Sequence, residues 1–320
     1  MAAHLESDGP MNKKIGLIDV DGHNFPNIPL MKISAWHKDQ GDTVEWYDAM
    51  FSGHMDKVYM SKVFSFSQDY EYFVDADEIA QGGSGYCIDT IGGQEFYNKA
   101  KDTDLPAEIE HIYPDYDLYG ITDTAYGFLT RGCPRGCGFC HVAAKEGRRS
   151  YKVADLSEFW RGQKNIVLCD PNILACKQWP DLLQQLIDSK ANVDINQGLD
   201  IRLMTREKAE MLREIKTPEL HFAWDRYQDK EMILPKLQMF RDMTTKHESR
   251  MIVYVLCNYD TTVEQDLERI YTLREMGYWA YVMLYDKEHI PPGHILRKIA
   301  RWVNNRFIFA KCKTFEEYAG

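Results

Sequence analysis

From residue 125 onward, short apolar runs alternate with amphipathic stretches. The runs "AYGFLT" (125–130), "NIVLCD" (165–170), "VDINQG" (193–198), "LHFAWD" (220–225), "MIVYVLC" (251–257) and "YWAYVMLYD" (278–286) read as strands. Between them, "PDLLQQLIDSK" has Pro180 in its first turn and sets Leu182, Leu183, Leu186 and Ile187 along one helical face. The helix after residue 261 opens on a capping box, Thr262 with Gln265, and stops at Gly277. "HILRKIARWVNNRFIFAKCKTFEEYAG" reads as a last amphipathic helix followed by a strand. This alternation predicts an α/β fold, a partial (β/α)6 barrel of the TIM type, in which chemistry gathers at the C-terminal ends of the strands.

The N-terminal part carries the same alternation in a shorter form. "KKIGLIDV" (13–20) reads as a strand, and the loop "DGHNFPN" (21–27) follows it. "LMKISAWHKDQG" (30–41) is a helix stopped by Gly41, and "TVEWYDA" (43–49) and "KVYMSKVF" (57–64) are further strands. "QGGSGY" (81–86) and "IGG" (91–93) are turn signals. These elements predict a doubly wound, Rossmann-like domain over residues 1–118. The polar, proline-containing stretch 101–120 then leads into the barrel domain, residues 119–320.

Composition narrows the function classes. The chain of 320 residues is 44% hydrophobic, enough for one large or two ordinary domains. No apolar run approaches the ~18 residues of a membrane span. "MAAHLESDGP" has no basic region followed by an apolar one, so a cytoplasmic protein is expected. In that compartment the eight cysteines are metal-binding, catalytic or buried rather than disulfide-bonded. A formal charge of −11 argues against broad nucleic-acid binding and against anionic membranes. The basic stretch "KEGRRSYK" (145–152) reads as a solvated loop.

One segment stands out, "TRGCPRGCGFC" (130–140), with Cys133, Cys137 and Cys140 in a C-x3-C-x2-C spacing directly after the first barrel strand. Chance would give that spacing about 0.005 times in a chain of this composition. A closed zinc site wants four ligands. No second cysteine pair exists, since Cys87, Cys169, Cys176, Cys257 and Cys312 are scattered, and His141 adjoins Cys140 too closely to converge with it. A four-iron cluster held by three thiolates keeps one iron open to bind something. Glycines at 132, 136 and 138 would let the loop wrap it and offer N–H groups to its sulfurs. A non-catalytic metal- or nucleic-acid-binding module, using the cysteines structurally, is the alternative.

This motif, with Phe139 before its last cysteine and its place after the first strand of a partial barrel, resembles that of the radical S-adenosylmethionine (radical SAM) enzymes. The resemblance covers roughly residues 120–290. It implies that Cys133, Cys137 and Cys140 ligate a 4Fe–4S cluster and that S-adenosylmethionine chelates the fourth iron. Reductive cleavage then gives methionine and a 5′-deoxyadenosyl radical that abstracts hydrogen from a small-molecule or modified-residue substrate. The electron comes from a donor such as flavodoxin or ferredoxin. By the same resemblance the adenine lies near Gly138 and Phe139, and Asp170 in "CDPNILA" stands where the family has Gly-Gly-Glu, as the carboxylate for the amino group. Asn172, Gln197, Asp200, Arg202 and Asp225 are the further strand-end candidates for S-adenosylmethionine, Arg202 for its carboxylate. The first domain resembles the cobalamin-binding-type domain of one radical SAM class. Asp21-Gly22-His23 resembles the Asp-x-His of cobalamin proteins, with Pro26 where glycine is expected. That likeness implies a corrin site at Asp21, His23, Gly82 and Gly83, and methyl transfer or rearrangement as the chemistry.

Overall fold

The computed structural model describes residues 12–318. The N-terminal stretch read above for a secretory signal lies outside them. Backbone contacts divide the chain into two units: residues up to Asp123 together with Ser157–Phe159, and Thr124–Leu156 together with the chain from Trp160. Both are mixed α/β with parallel sheets. No helix among the described residues is long and apolar enough to cross a membrane.

In the first unit, β1 (Lys14–Asp19), α1 (Ile28–Asp39), β2 (Thr43–Trp46), β3 (Met55–Ser61) and β4 (Ala76–Gly82) form a parallel sheet in the order β2-β1-β3-β4. Helix α1 starts at Asn27, whose side chain accepts from the Leu30 N–H at 3.2 Å and donates to Ser61 Oγ at 2.8 Å. The cap thus also fixes the helix against the end of β3. Leu30 and Ile33 of α1 pack with Ile15 and Leu17 of β1 and with Ile109 of α2 (Ala107–Glu110). β5 (Ile88–Ile91) and β6 (Gln94–Tyr97) form an antiparallel hairpin, its turn at Gly92 and Gly93, both at positive φ as a two-residue hairpin turn requires.

The second unit opens with β7 (Thr124–Gly127) and β8 (Thr130–Arg131), then α3 (Val142–Glu146) and β9 (Tyr151–Lys152). β8 and β9 pair antiparallel and close the cysteine segment into a loop. From β10 (Asn165–Leu168) strand and helix alternate: α4 (Trp179–Ser189), β11 (Asn192–Ile195), α5 (Arg206–Glu214), β12 (Leu220–Ala223), α6 (Lys230–Met243), β13 (Met251–Cys257), α7 (Val263–Glu275), β14 (Trp279–Leu284) and α8 (Ile295–Asn304). The strands form two parallel three-stranded sheets, β11-β10-β7 and β12-β13-β14, and a single parallel bridge joins Leu199 to Phe222. The four apolar residues of α4 are all buried, and the Thr262–Gln265 capping box is present with both of its hydrogen bonds.

The last element differs from the expected closing strand. Residues Arg306–Lys311 are a helix, α9. Asn305 accepts from the N–H groups of Phe307 and Ile308, each at 3.1 Å, and this cap restarts a helix where apolar alternation alone suggested a strand. Phe309 is buried against Trp302 and Trp279.

Candidate functional site

The cysteine loop is built on a buried carboxylate. Asp170, 1% exposed just beyond β10, accepts from the Leu129 N–H at 3.0 Å, the Thr130 N–H at 2.7 Å and the Thr130 hydroxyl at 2.6 Å. These bonds favour the carboxylate, yet complete burial outweighs them and pushes its pKa up to about 6. At the next step along the chain, Glu146 accepts from Arg131 at 2.9 Å and from the Gly132 N–H at 2.8 Å. Gly132 sits at φ +78, and a Cβ there would run into the Arg149 carbonyl. The base of the loop is therefore fixed from both sides before the first cysteine.

Cys133 and Cys137 are half-buried and Cys140 is exposed, all three as free thiols. Burial is the largest cause that raises the pKa of Cys137 and of Cys140; the charges of Cys140 and Cys133 add to it at Cys137, and that of Cys133 at Cys140. Among the described residues no three His, Cys, Asp or Glu side chains are gathered closely enough to hold one metal ion. The Asn172 side-chain N–H points to Cys133 Sγ at 3.5 Å, and Asn172 Oδ1 is buried without a hydrogen-bond partner. Gly138 lies under Tyr259, whose hydroxyl stands 2.5 Å from where a Cβ would be. Phe139 meets the Tyr259 ring edge-to-face at 5.1 Å, and Tyr259 meets Tyr285 in the same way at 4.9 Å.

The charged residues around the loop separate into two kinds. Asp200 is saturated: Oδ2 accepts from Arg135 at 2.6 Å and from Asn172 at 3.3 Å, and Oδ1 from Arg202 Nε at 2.7 Å. Arg202 also donates to Asp229 at 2.8 Å, so its charge is matched twice within the chain. Asp225 differs. Its carboxylate is close enough to raise the pKa of Cys137 and Cys140, and burial pushes its own up to about 6. Arg269, fully buried, donates to the Trp224 carbonyl at 2.7 Å, the Asp225 carbonyl at 3.0 Å and the Leu256 carbonyl at 2.8 Å. It thereby fixes the backbone from which Asp225 projects.

Most of the strand-end candidates have partners within the chain. Asp170, expected to receive a ligand amino group, has both oxygens engaged by residues 129–130 and shapes the loop. Asn172 and Asp200 likewise brace the loop from inside, and Arg202 is held between two carboxylates rather than left for a third. Gln197 is exposed and lines a separate cavity on the inner strands. Arg135, Thr130, Arg269 and Tyr259 were not read as site residues. Only Asp266–Arg269, an i,i+3 pair on α7, carried a signal in the sequence, and the pair is buried at 2.6 Å.

Three of the residues expected to hold a corrin in the first unit have roles within the chain itself. Asp21 accepts from the N–H groups of Val63 (2.5 Å) and Phe64 (3.2 Å) and from the Ser67 hydroxyl at 2.6 Å, so it caps the loop after β3. His23 lies tilted against Trp46 with ring centroids 4.2 Å apart and meets Tyr119 edge-on at 5.6 Å. Gly83, at φ +99, is required by the Lys62 backbone, whose carbonyl a Cβ would strike, and Gly82 has open space around it. Gly83→Val should consequently destabilise this unit by at least about 2 kcal/mol in denaturant unfolding. Wild-type protein should emerge from gel filtration without added cobalamin; a stoichiometric corrin retained by it would refute this account of the four residues.

No protein-family model and no curated protein matches the chain.

Proposed function

We propose that the chain is a radical SAM enzyme, with a 4Fe–4S cluster on Cys133, Cys137 and Cys140. The observation that carries this reading is the cysteine loop itself: three thiols on a braced, glycine-bearing loop directly after β8, surrounded by polar strand-end side chains. Six parallel strands in chain order, most followed by a helix, support a partial (β/α)6 barrel, and the β2-β1-β3-β4 order supports a doubly wound first domain. The donor set fits a cluster by its chemistry. Thiolates on separate irons need not converge on one point, whereas the ligands of a single zinc ion must.

When bound, the cluster and S-adenosylmethionine supply reductive cleavage of the sulfonium and hydrogen abstraction from substrate. The chain's own residues hold and orient the participants. The Asn172 amide donates toward the Cys133 sulfur and holds that side chain in place. Phe139, with Tyr259 and Tyr285 behind it, offers an aromatic wall for the adenine. Asp225 is the carboxylate near the thiols that is free of the Asp200–Arg202–Asp229 bridge, and it takes the polar end of S-adenosylmethionine.

Anaerobically reconstituted protein under strong reductant should convert S-adenosylmethionine to 5′-deoxyadenosine and methionine, slowly even without substrate. Asp225→Asn should weaken S-adenosylmethionine binding at least about tenfold, the effect of losing a charge-assisted hydrogen bond. Unchanged affinity in a folded variant would move the contact elsewhere. A fully loaded cluster with no cleavage would sink the functional reading.

A further inference from the structure

A second feature of the barrel-type unit lies apart from the cysteines, on the face of the β12-β13-β14 sheet turned away from its packed core. Residues alternate along these strands. Phe222, Val253 and Ala280 are fully buried on one face, while His221, Tyr254 and Tyr281 line a cavity of about 490 Å³ on the other. That volume lies within the range of small-molecule sites. The His221 and Tyr254 rings stack at 5.4 Å and 8°, and Tyr254 meets Tyr281 edge-to-face at 5.8 Å. Trp279 and Met283 extend the wall, so much of the lining is flat aromatic or soft apolar surface.

The charged groups here neutralise one another. Glu219, which lines the cavity, is met by Arg306 at 2.9 Å and by Arg250 at 3.2 Å. Asp194 lies 3.7 Å from His221 Nδ1, with its Oδ1 closed off from solvent, and brings the local sum to two carboxylates against two guanidinium groups. A charged ligand would find no unmatched counter-ion. The uncharged polar groups divide differently. Asn304 is held at both ends, its Oδ1 accepting from the Val282 N–H at 2.8 Å and its Nδ2 donating to the Val282 carbonyl at 2.9 Å. Asn196 and Gln197, just beyond β11, line the same cavity, and neither side chain has a hydrogen-bond partner among the described residues. Their loop is held beside the aromatic wall. Gly198, at φ +83, backs onto the Tyr254 ring, where a Cβ would stand 3.4 Å away, and the Tyr254 hydroxyl points to the Asn196 carbonyl at 3.5 Å.

A carboxamide presents a donor and an acceptor side by side, the pattern that reads the edge of a heterocyclic base. Aromatic side chains stack on the faces of such a base. We propose that this cavity binds an uncharged, flat heterocycle of the nucleobase kind, on a molecule the size of a free nucleoside. Asn196 and Gln197 meet its polar edge, and Tyr254 and Tyr281 its ring. The formal charge of −11 argues against a base that arrives on a polynucleotide. As the enzyme's substrate site the cavity rests on the radical SAM reading; as a base site it does not.

The test is calorimetric titration of the full-length protein with inosine and two matched probes. Benzimidazole riboside keeps the bicyclic shape without the polar edge of the six-membered ring, and inosine 5′-monophosphate adds charge. Inosine should bind at least about tenfold more tightly than benzimidazole riboside, and the monophosphate no more tightly than inosine. Asn196→Ala combined with Gln197→Ala should remove the preference for inosine and leave the unfolding midpoint in denaturant unchanged. Tyr281→Ser, at a position 43% exposed and so tolerant of change, should weaken both ribosides about tenfold in a chain that keeps its fold. Equal binding of the two ribosides, a preference that survives the double substitution, or tighter binding of the monophosphate would overturn the proposal. So would folded wild-type protein that ignores inosine, whether or not it takes a single-stranded oligoinosinate. Repeating the titration on reconstituted enzyme, beside the S-adenosylmethionine cleavage assay, separates the two ideas. Displacement of inosine by S-adenosylmethionine would assign it to the cysteine site and sink the second cavity. An inosine preference without cleavage would keep the base site and remove its role as a substrate site. Cleavage without that preference would remove the base site and keep the enzyme.

Discussion

Protein in which Cys133, Cys137 and Cys140 are all replaced by Ala should carry essentially no iron or sulfide after anaerobic reconstitution. It should also lack the broad thiolate-to-iron absorbance near ~400 nm that the wild type is expected to show. The expected loss is total because the other cysteines cannot substitute. Cys87, Cys169, Cys176 and Cys257 are buried, burial pushes the Cys169 thiol up to about 12, far from the thiolate a metal needs, and half-buried Cys312 is a single thiol just past α9. Cys169→Ala and Cys257→Ala should accordingly leave the iron content unchanged. Full iron and sulfide in the triple variant would place the cluster elsewhere. One zinc per wild-type chain would favour the structural module over the enzyme.

Asp170→Ala should be the most disruptive single substitution near the site, although the side chain never touches a ligand in this account. It strips three donors of their acceptor in a fully enclosed setting, at a cost of roughly 3–6 kcal/mol. Because those donors belong to residues 129 and 130, the damage falls on the root of the cysteine loop. Iron retention should drop together with the unfolding midpoint in denaturant. A variant with wild-type stability and reduced S-adenosylmethionine affinity alone would restore the ligand-binding role expected from the sequence. Asp170→Asn is a finer probe, since it keeps one acceptor but turns a donor toward N–H groups.

The strands of the second unit were legible because packing forces apolar runs upon them. "MIVYVLC" is buried at all but one position and matches β13 end to end. β4 escaped notice for the opposite reason. "ADEIAQG" is an edge strand whose one large apolar residue, Ile79, is 47% exposed, so backbone pairing rather than side-chain burial defines it. Within the site, the cysteines were legible from spacing alone, and their supports were not. Asp170, Asp200 and Asp225 are each an aspartate at a strand end. Only the directions of neighbouring donors distinguish a loop brace from a group turned toward the thiols. Gly83 is ambiguous in the same way: a glycine needed by the Lys62 carbonyl and one needed by a ligand look identical in a sequence.

The short antiparallel ladder between β8 and β9 has an entropic consequence for ligation. Two residue pairs, Thr130 with Lys152 and Arg131 with Tyr151, already hold the ends of the intervening segment together. Closing a free segment of about that length would cost roughly 3 kcal/mol in chain entropy. Here that cost is met when the protein folds. Gathering the three sulfurs then requires only that residues 133–140 settle, so the affinity of the loop for its inorganic partner is set by local adjustment instead of by a search through chain conformations.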